Sequence, residues 1–260
     1  MPYSLKDKRI VIIGGTSGIG RSVAISLHKQ GARVVIQGLP VAEETYPEGI
    51  EIVHGDLCEG VKSKDAIDAC VKIFGGFDGL LHVAGGSGRK WGDGPLHEIT
   101  QEGWDKTLQL NLTTLFQSNQ AAIRQFMADN RGGSIVNISS VLATHPAPHF
   151  FATHAYTTAK SAIIGFSKSI AAYYSKSDIR VNVIAPALTD TPMAGRAKSR
   201  ADIQAYIKTK QPLDNGRLAK TSDIVGAACY FLSDESRFTT GQVLAIDGGW
   251  SVSEGQYGTE

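Results

Sequence analysis

Seven short runs of aliphatic and β-branched residues punctuate the chain: RIVII (9–13), RVVIQ (33–37), IEIVH (50–54), DGLLHV (78–83), SIVNIS (134–139), IRVNVIA (179–185) and QVLAI (242–246). They are nearly continuous in apolar character, the pattern of strands buried on both faces of a parallel sheet. Between them lie helical stretches at 18–30, 63–74, 100–130, 153–175 and 221–233, with Thr100 and Thr221 placed as N-caps. This alternation predicts an α/β fold, a doubly wound parallel sheet with right-handed crossovers. One gap breaks the rhythm. Only about a dozen residues separate the second and third runs, too few for a full covering helix. No linker, repeat or low-complexity tract interrupts the chain, so residues 1–260 read as a single domain.

Composition narrows the class. A chain of 260 residues, 42% of them hydrophobic, buries roughly three quarters of its unfolded surface in one large core. The formal net charge of +1 argues against a nucleic-acid partner. No apolar run approaches the roughly 18 residues needed to span a bilayer. The opening MPYSLKDKR lacks an apolar signal core and a cleavage site, so a cytoplasmic location is expected. Cys58, Cys70 and Cys229 are unclustered, which argues against a disulfide framework or a zinc site.

Two short stretches carry candidate chemistry. In VIIGGTSGIGRS, Gly14, Gly18 and Gly20 follow the first strand and open the first helix. Small residues there permit a tight turn and let the backbone approach a pyrophosphate, whose charge then sits at a helix N-terminus. In HAYTTAKSA (154–162), Tyr156 and Lys160 lie four positions apart on one helical face. One reading is a surface tyrosine beside a snorkelling lysine. The other is a proton-transfer pair, since an ammonium beside a phenol makes it more acidic.

Taken together, these and further motifs resemble the short-chain dehydrogenase/reductase family. The resemblance runs from the glycine turn through GDL with Asp56, HVAGG with Ala84 and Gly85, Asn111 in LNLTT, VNISS, Tyr156-xxx-Lys160 and RVNVIAPALTDTPM to the terminal IDGG (246–249). It implies a Rossmann-type fold and an NAD(P)-dependent oxidoreductase that interconverts a secondary alcohol and a ketone. By the same resemblance the catalytic residues are Asn111, Ser140, Tyr156 and Lys160, with Ser139 as the alternative serine. The cofactor residues are Gly14, Thr16, Ser17, Gly18, Ile19, Gly20, Gly38, Leu39, Asp56, Leu57, Ala84, Gly85, Tyr156, Lys160, Pro186, Leu188, Thr189 and Thr191. Asp56 is expected beside the adenine, with Leu57 against its ring. Asn111 is expected to interrupt its long helix and hold a water that relays protons to Lys160.

The magnitudes of the proton chemistry close. Tyrosine titrates near 10, so a base at pH 7 needs about 4 kcal/mol of help. An ammonium about 5 Å away at an effective dielectric of about 20 supplies roughly 3 kcal/mol. The positive nicotinamide ring of the oxidised cofactor contributes the rest. Ser140 is expected to steady the developing alkoxide.

Departures from the family pattern are His82 and Val83 where paired asparagines are usual, Ala187 after Pro186, and a longer interval between Ser140 and Tyr156. Segments near 86–98, 143–152 and 189–210 are expected to form the substrate loops, with 196–210 a mobile helical lid because its apolar positions are sparse. His145, His149 and His154 read as pocket lining rather than as a metal set, since Pro146 and Pro148 break the helical spacing. Trp91 reads equally as a substrate platform or a loop anchor, and Trp104 as a packing residue. The resemblance also implies a homo-oligomer, a tetramer built on helices 100–130 and 153–175.

For the cofactor, Gly38 stands where an acidic residue would hold the adenosine ribose. No Lys or Arg occurs from Gln37 to Glu51, while Glu43, Glu44, Glu48 and Glu51 do. The expectation leans to NAD over NADP, because a 2′-phosphate would find no cation unless Arg21 reaches it. A second functional reading is a dinucleotide-sensing regulatory protein with weak turnover on the same fold. The four catalytic residues speak against it.

Overall fold

A computed structural model describes residues 4–42, 45–59 and 63–255 of the chain. Seven strands pair in parallel in the order β3-β2-β1-β4-β5-β6-β7: β1 (Arg9–Ile13), β2 (Arg33–Gly38), β3 (Ile50–His54), β4 (Gly79–His82), β5 (Gly133–Ile138), β6 (Ile179–Pro186) and β7 (Val243–Ile246). The helices are α1 (Gly18–Lys29), α2 (Ser63–Phe74), α3 (Gln101–Leu108), α4 (Thr114–Ala128), the one-turn α5 (Pro148–Phe151), α6 (His154–Tyr174), α7 (Gly195–Ser199), α8 (Ala201–Lys210), the short turn α9 (Leu213–Gly216) and α10 (Thr221–Leu232). The described part of the β2–β3 connection contains no helix. No described helix is long and apolar enough to cross a membrane.

The apolar runs form strands because each side chain finds cover whichever face it points to. On one face Ile10, Ile12, Val34 and Ile36 meet Val23, Ala24 and Leu27 of α1 and Ile224, Ala227 and Ala228 of α10. On the other, Val11, Ile13 and Val35 meet Ala66, Ile67 and Cys70 of α2 and Ala122, Ile123 and Phe126 of α4. Burying each such aliphatic side chain contributes about 1.5–3 kcal/mol.

A polar lock crosses the second layer. The amides of Asn119 on α4 and Asn137 on β5 exchange two hydrogen bonds of 2.9 Å, and Asn137 also donates to the Ser167 hydroxyl of α6 at 3.0 Å. All three residues are buried. Such a paired set fixes the relative positions of both helices and the strand end, because moving any member strands a buried polar group.

Two helix starts are set differently. Thr100 caps α3, its hydroxyl accepting from Gly103 N at 2.9 Å. Thr221 does not cap α10; it is the first helical residue, and the N-cap is Lys220. The Lys220 N–H donates to the Asp223 carboxylate at 2.8 Å, so the acid three residues on does what the threonine was expected to do. The stretch 100–130 is interrupted where Asn111 was expected to break it. A π-helical turn, Gln109–Thr113, separates α3 from α4.

Candidate active site

Strand order reverses between β1 and β4, and ligands of open α/β sheets bind at the carboxyl ends of the strands beside such a reversal. The register puts Ile13 beside both Gln37 and His82 at that edge. The glycine turn begins here. A Cβ on Gly14 would lie 2.6 Å from Ala84 N, and one on Gly20 would lie 2.1 Å from Gly14 O. Gly14 and Gly18 take φ of +81° and +51°, which disfavours an L side chain at both. Ser17, the N-cap of α1, makes no side-chain cap hydrogen bond, and the first turn of α1 carries no acidic residue. The turn therefore presents uncommitted N–H groups at the positive end of a helix, which suits a diphosphate.

The opposite wall holds the proposed reacting groups. Asn111 sits in the π-turn, fully buried. Its amide oxygen accepts from Gly86 N at 3.0 Å, and its amide nitrogen donates to Gly86 O and Thr107 O at 2.9 Å each. Its side chain is thus spent on holding the loop after β4. A Cβ on Gly85 would come 2.7 Å from Asn111 Oδ1 and 3.2 Å from Lys160 Nζ, so the absence of a side chain at 85 keeps this corner open.

Lys160 is buried, donates to Ile138 O at 3.0 Å, and stands 5.6 Å from the Tyr156 ring centroid. Burial brings its pKa down to about 8. Burial also raises the Tyr156 phenol, opposed by a hydrogen bond from the Ser140 hydroxyl. The sequence led to an expectation of a phenol made more acidic by the ammonium; the shift is upward, with burial as its largest cause. Between the two serines the geometry is plain: Ser140 faces Tyr156, while Ser139 is buried and donates to Lys160 O at 2.7 Å.

His82 fills the place of the family's asparagine. Its Nε2 lies 3.1 Å from Ala84 O and its Nδ1 2.8 Å from Ser118 Oγ. A carbonyl only accepts, so Nε2 carries the proton; the Ser118 hydroxyl lies between Nδ1 and Leu115 O, 2.9 Å from the latter, with one proton to share. Burial, reinforced by the nearby Lys160 charge, lowers the pKa to about 3, so the imidazole is neutral. The strand end that supports Ala84 is therefore tied by a ring where an amide was expected.

Around the adenosine end, a Cβ on Gly38 would lie 2.3 Å from Thr16 Oγ1, so a side chain there would have to displace Thr16. Arg21 donates to Thr45 O at 2.8 Å and packs over the Tyr46 ring, whose hydroxyl donates to Thr16 O at 2.9 Å. Asp56 accepts from Cys58 N at 2.8 Å, and Leu57 is partly buried against the second core layer. Leu39 is exposed. Glu43 and Glu44 lie outside the described residues. Across the crevice Thr191 Cγ2 is 3.2 Å from the position a Gly18 Cβ would take, and Thr189 is buried with its hydroxyl donating to Ala187 O at 3.0 Å. Pro186 ends β6, and Leu188 is partly buried in the third apolar cluster.

That third cluster explains the long interval between Ser140 and Tyr156. The intervening Val141, Leu142, Ala147 and Phe150 pack with Ala197, Ile203, Tyr206, Ile207 and Trp250, and Tyr156 is packed against them. The expectation of a sparsely apolar lid at 196–210 is therefore corrected: Ile203, Tyr206 and Ile207, at i, i+3 and i+4, bury one face of α8. Asp93 was not singled out in the sequence. It is buried and accepts from Ala155 N and Tyr156 N at 3.0 Å each, capping α6 from the 86–98 loop. Its neighbours GDGP suggested only a turn.

A glycine-turn doubly wound sheet with a Ser-Tyr-Lys constellation defines a nicotinamide-dependent oxidoreductase. The family model described as enoyl-(acyl carrier protein) reductase matches residues 14–251. The chain belongs to the short-chain dehydrogenase/reductase family, whose dehydrogenases act on CH–OH groups with NAD(P). It is 35% identical to momilactone A synthase of Oryza sativa subsp. japonica, covering 98% of this chain and 93% of that protein. It is 30% identical to cis-4-hydroxycyclohexanecarboxylate dehydrogenase of Sinomonas cyclohexanicum, covering 97% and 100%. An Agrobacterium tumefaciens protein assigned as a 2-deoxy-D-gluconate 3-dehydrogenase, crystallised with NADP, superposes with a TM-score of 0.85 at 28% identity, covering 96% and 98%.

Proposed function

We propose that this protein interconverts a secondary alcohol and a ketone, with Tyr156 as the proton donor and acceptor at the substrate oxygen. The observation that carries the reading is the convergence of Ser140, Tyr156 and Lys160 beside a glycine cradle that a Cβ at Gly14 or Gly85 would fill. The nicotinamide cofactor, when bound, supplies or accepts the hydride. Gly14, Thr16, Ser17, Gly18, Ile19 and Gly20 would hold its diphosphate. Gly38, Leu39, Asp56 and Leu57 would hold its adenosine. Ala84, Gly85, Tyr156, Lys160, Pro186, Leu188, Thr189 and Thr191 would hold its nicotinamide half.

In ketone reduction Tyr156 Oη delivers its proton to the carbonyl oxygen, and Ser140 Oγ donates a hydrogen bond to the same oxygen. Lys160 keeps positive charge beside the phenol and stabilises the phenolate left behind. Asn111, through Gly86, holds the loop that closes this corner. In alcohol oxidation the proton moves the other way.

NAD is the preferred cofactor in this proposal. Arg21 is engaged by Thr45 and Tyr46, and Ser17, Gly38 and Leu39 offer no cation to a 2′-phosphate. The same proposal places a homotetramer in the cytoplasm; three free thiols, at Cys58, Cys70 and Cys229, suit a reducing compartment.

The test follows nicotinamide absorbance with each cofactor over a panel of cyclic and acyclic secondary alcohols and ketones. Turnover dependent on Tyr156 supports the reading. Tight cofactor binding with no turnover on any member would favour a dinucleotide sensor. A tenfold preference for NADPH in kcat/KM would overturn the NAD assignment.

A further inference from the structure

The three segments expected to choose the substrate meet at one carbonyl oxygen. Arg89, from 86–98, donates through Nη2 to Phe150 O at 3.3 Å and to Ala152 O at 3.4 Å. Arg196, from 189–210, donates through Nη2 to the same Phe150 O at 2.6 Å. Two cations thus share one neutral acceptor, and their terminal nitrogens stand within reach of a single oxygen.

A guanidinium carries five N–H donors and is always charged. These bonds use one terminal nitrogen of each, and neither arginine has an ion-pair partner among the described residues. Carboxylates nearby are already spent. Asp93 directs both oxygens at the α6 main chain and acts on Arg89 only through space. In the same segment as Arg196, Lys198 pairs with Asp190 at 2.7 Å, and Arg200 pairs with Asp202. Arg196 instead packs over the Phe151 ring, 5.6 Å from its centroid. Burial and then repulsion from Arg89 and Arg200 push its pKa down, and Asp202, itself paired with Arg200, opposes them only through space.

The location gives this pair a purpose. Phe150 belongs to the apolar cluster against which Tyr156 packs, and Arg196 lies one residue before Ala197 of the same cluster. The loop that carries Arg89 is anchored to the Tyr156 main chain through Asp93. The cations therefore belong to the wall beside the reacting tyrosine.

We propose that Arg89 and Arg196 form a carboxylate clamp, so that the substrate is a hydroxy acid or keto acid whose carboxylate lies away from the reacting carbon. A planar carboxylate matches the guanidinium fork and offers the negative charge that the wall lacks. The inference rests on the dehydrogenase reading above and adds the substrate class to it.

The test uses the full-length enzyme with saturating cofactor and a panel of 2-, 3- and 4-hydroxycyclohexanecarboxylates, each against its neutral methyl ester. At least one free acid should exceed its ester in kcat/KM by about 30-fold, near 2 kcal/mol. Arg89→Gln and Arg196→Gln should each lower kcat/KM for that acid by about tenfold, through KM, and should lower ester turnover by less than threefold. Arg196→Lys, which keeps charge but loses the fork, should fall between. Cofactor Kd should stay within twofold, which separates a substrate clamp from a phosphate contact. The proposal is overturned if no acid exceeds its ester, if acid and ester lose equally in the variants, or if cofactor affinity falls with them. Ester turnover without any acid preference leaves the dehydrogenase reading standing; no hydride transfer with any alcohol or ketone removes both.

Discussion

Asp93 holds Tyr156 by its main chain: the carboxylate accepts the Tyr156 N–H at 3.0 Å, although the two residues are 63 positions apart. Thr153, the N-cap of α6 by position, makes no side-chain cap bond, so the distant acid does the capping. Asp93→Ala should cost about 1–2 kcal/mol of stability, the range of a lost helix cap. It should also lower kcat by about tenfold, equivalent to about 1.4 kcal/mol in the barrier, by loosening the first turn of α6. Asp93→Asn keeps one acceptor and should recover part of both. Urea denaturation and steady-state kinetics read the two effects separately; stability loss with kcat intact would confine Asp93 to folding.

Tyr156→Phe keeps the ring and removes the proton. Turnover should fall below a tenth of wild type while cofactor affinity survives. Because burial raises the phenol above its ordinary value, the proton stays on Tyr156 across neutral pH. Ketone reduction should therefore hold through neutral pH and decline only in alkali, and alcohol oxidation should rise with pH. A reductive rate that climbs with pH would contradict a phenolic proton donor.

His82 predicts an acid sensitivity unrelated to turnover. Its pKa is about 3 in the fold, against 6.5 for the free side chain. Between those values the unfolded chain takes up a proton that the fold refuses, so stability falls as pH drops. From pH 7 to pH 4.5 the loss attributable to this ring is roughly 2–3 kcal/mol. His82→Asn should flatten that slope, whatever its effect at pH 7. Parallel slopes in thermal melts of the two proteins would show that His82 is not the cause.

Phe150 and Phe151 should separate. Phe150 is buried and meets the Tyr206 ring at 5.2 Å, so Phe150→Ala should cost roughly 3–5 kcal/mol. Phe151 is half-buried against Trp250, 5.7 Å between centroids, and under Arg196. Phe151→Ala should change the ranking of substrates more than it changes stability. Equal weakening of every substrate would make Phe151 a packing residue only.

Self-association should use the outward faces of α4 and α6, where Phe116, Met127 and Tyr173 are 44%, 51% and 65% exposed. Light scattering at micromolar concentration should give a tetramer mass, and Tyr173→Glu should reduce it. A monomeric mass for the wild type would reject the assembly.

The sheet was legible because continuous runs such as RIVII and RVVIQ have no other way to bury both faces. Tyr156 and Lys160 were legible because four residues in a helix bring side chains to one face. The pair's electrostatics was not, since the cost of burying the phenol depends on Leu142, Phe150 and their neighbours, which lie in sequence where a substrate loop was expected. Asp93, Arg89 and Arg196 were missed for a related reason. Each acts on a partner dozens of residues away, and neither GDGP nor RAKSRADIQ announces that partner locally. The packed face of α8 was hidden by the charges flanking it, Lys198, Arg200 and Asp202 before and Lys208 and Lys210 after, which draw the eye from the spacing of Ile203, Tyr206 and Ile207.

The π-turn at Gln109–Thr113 also sets a length that the chain must keep. A π-turn holds one residue more than the regular helical ladder. Removing any one residue from it would close the turn into the regular ladder, so that α3 and α4 run on as one continuous helix without the bulge that carries Asn111. Asn111 would lose the widened turn that aims its amide at both main-chain groups of Gly86. Insertions and deletions are therefore tolerable in the loops at either end, but not here: five consecutive positions hold the amide that ties the substrate wall to the core helix.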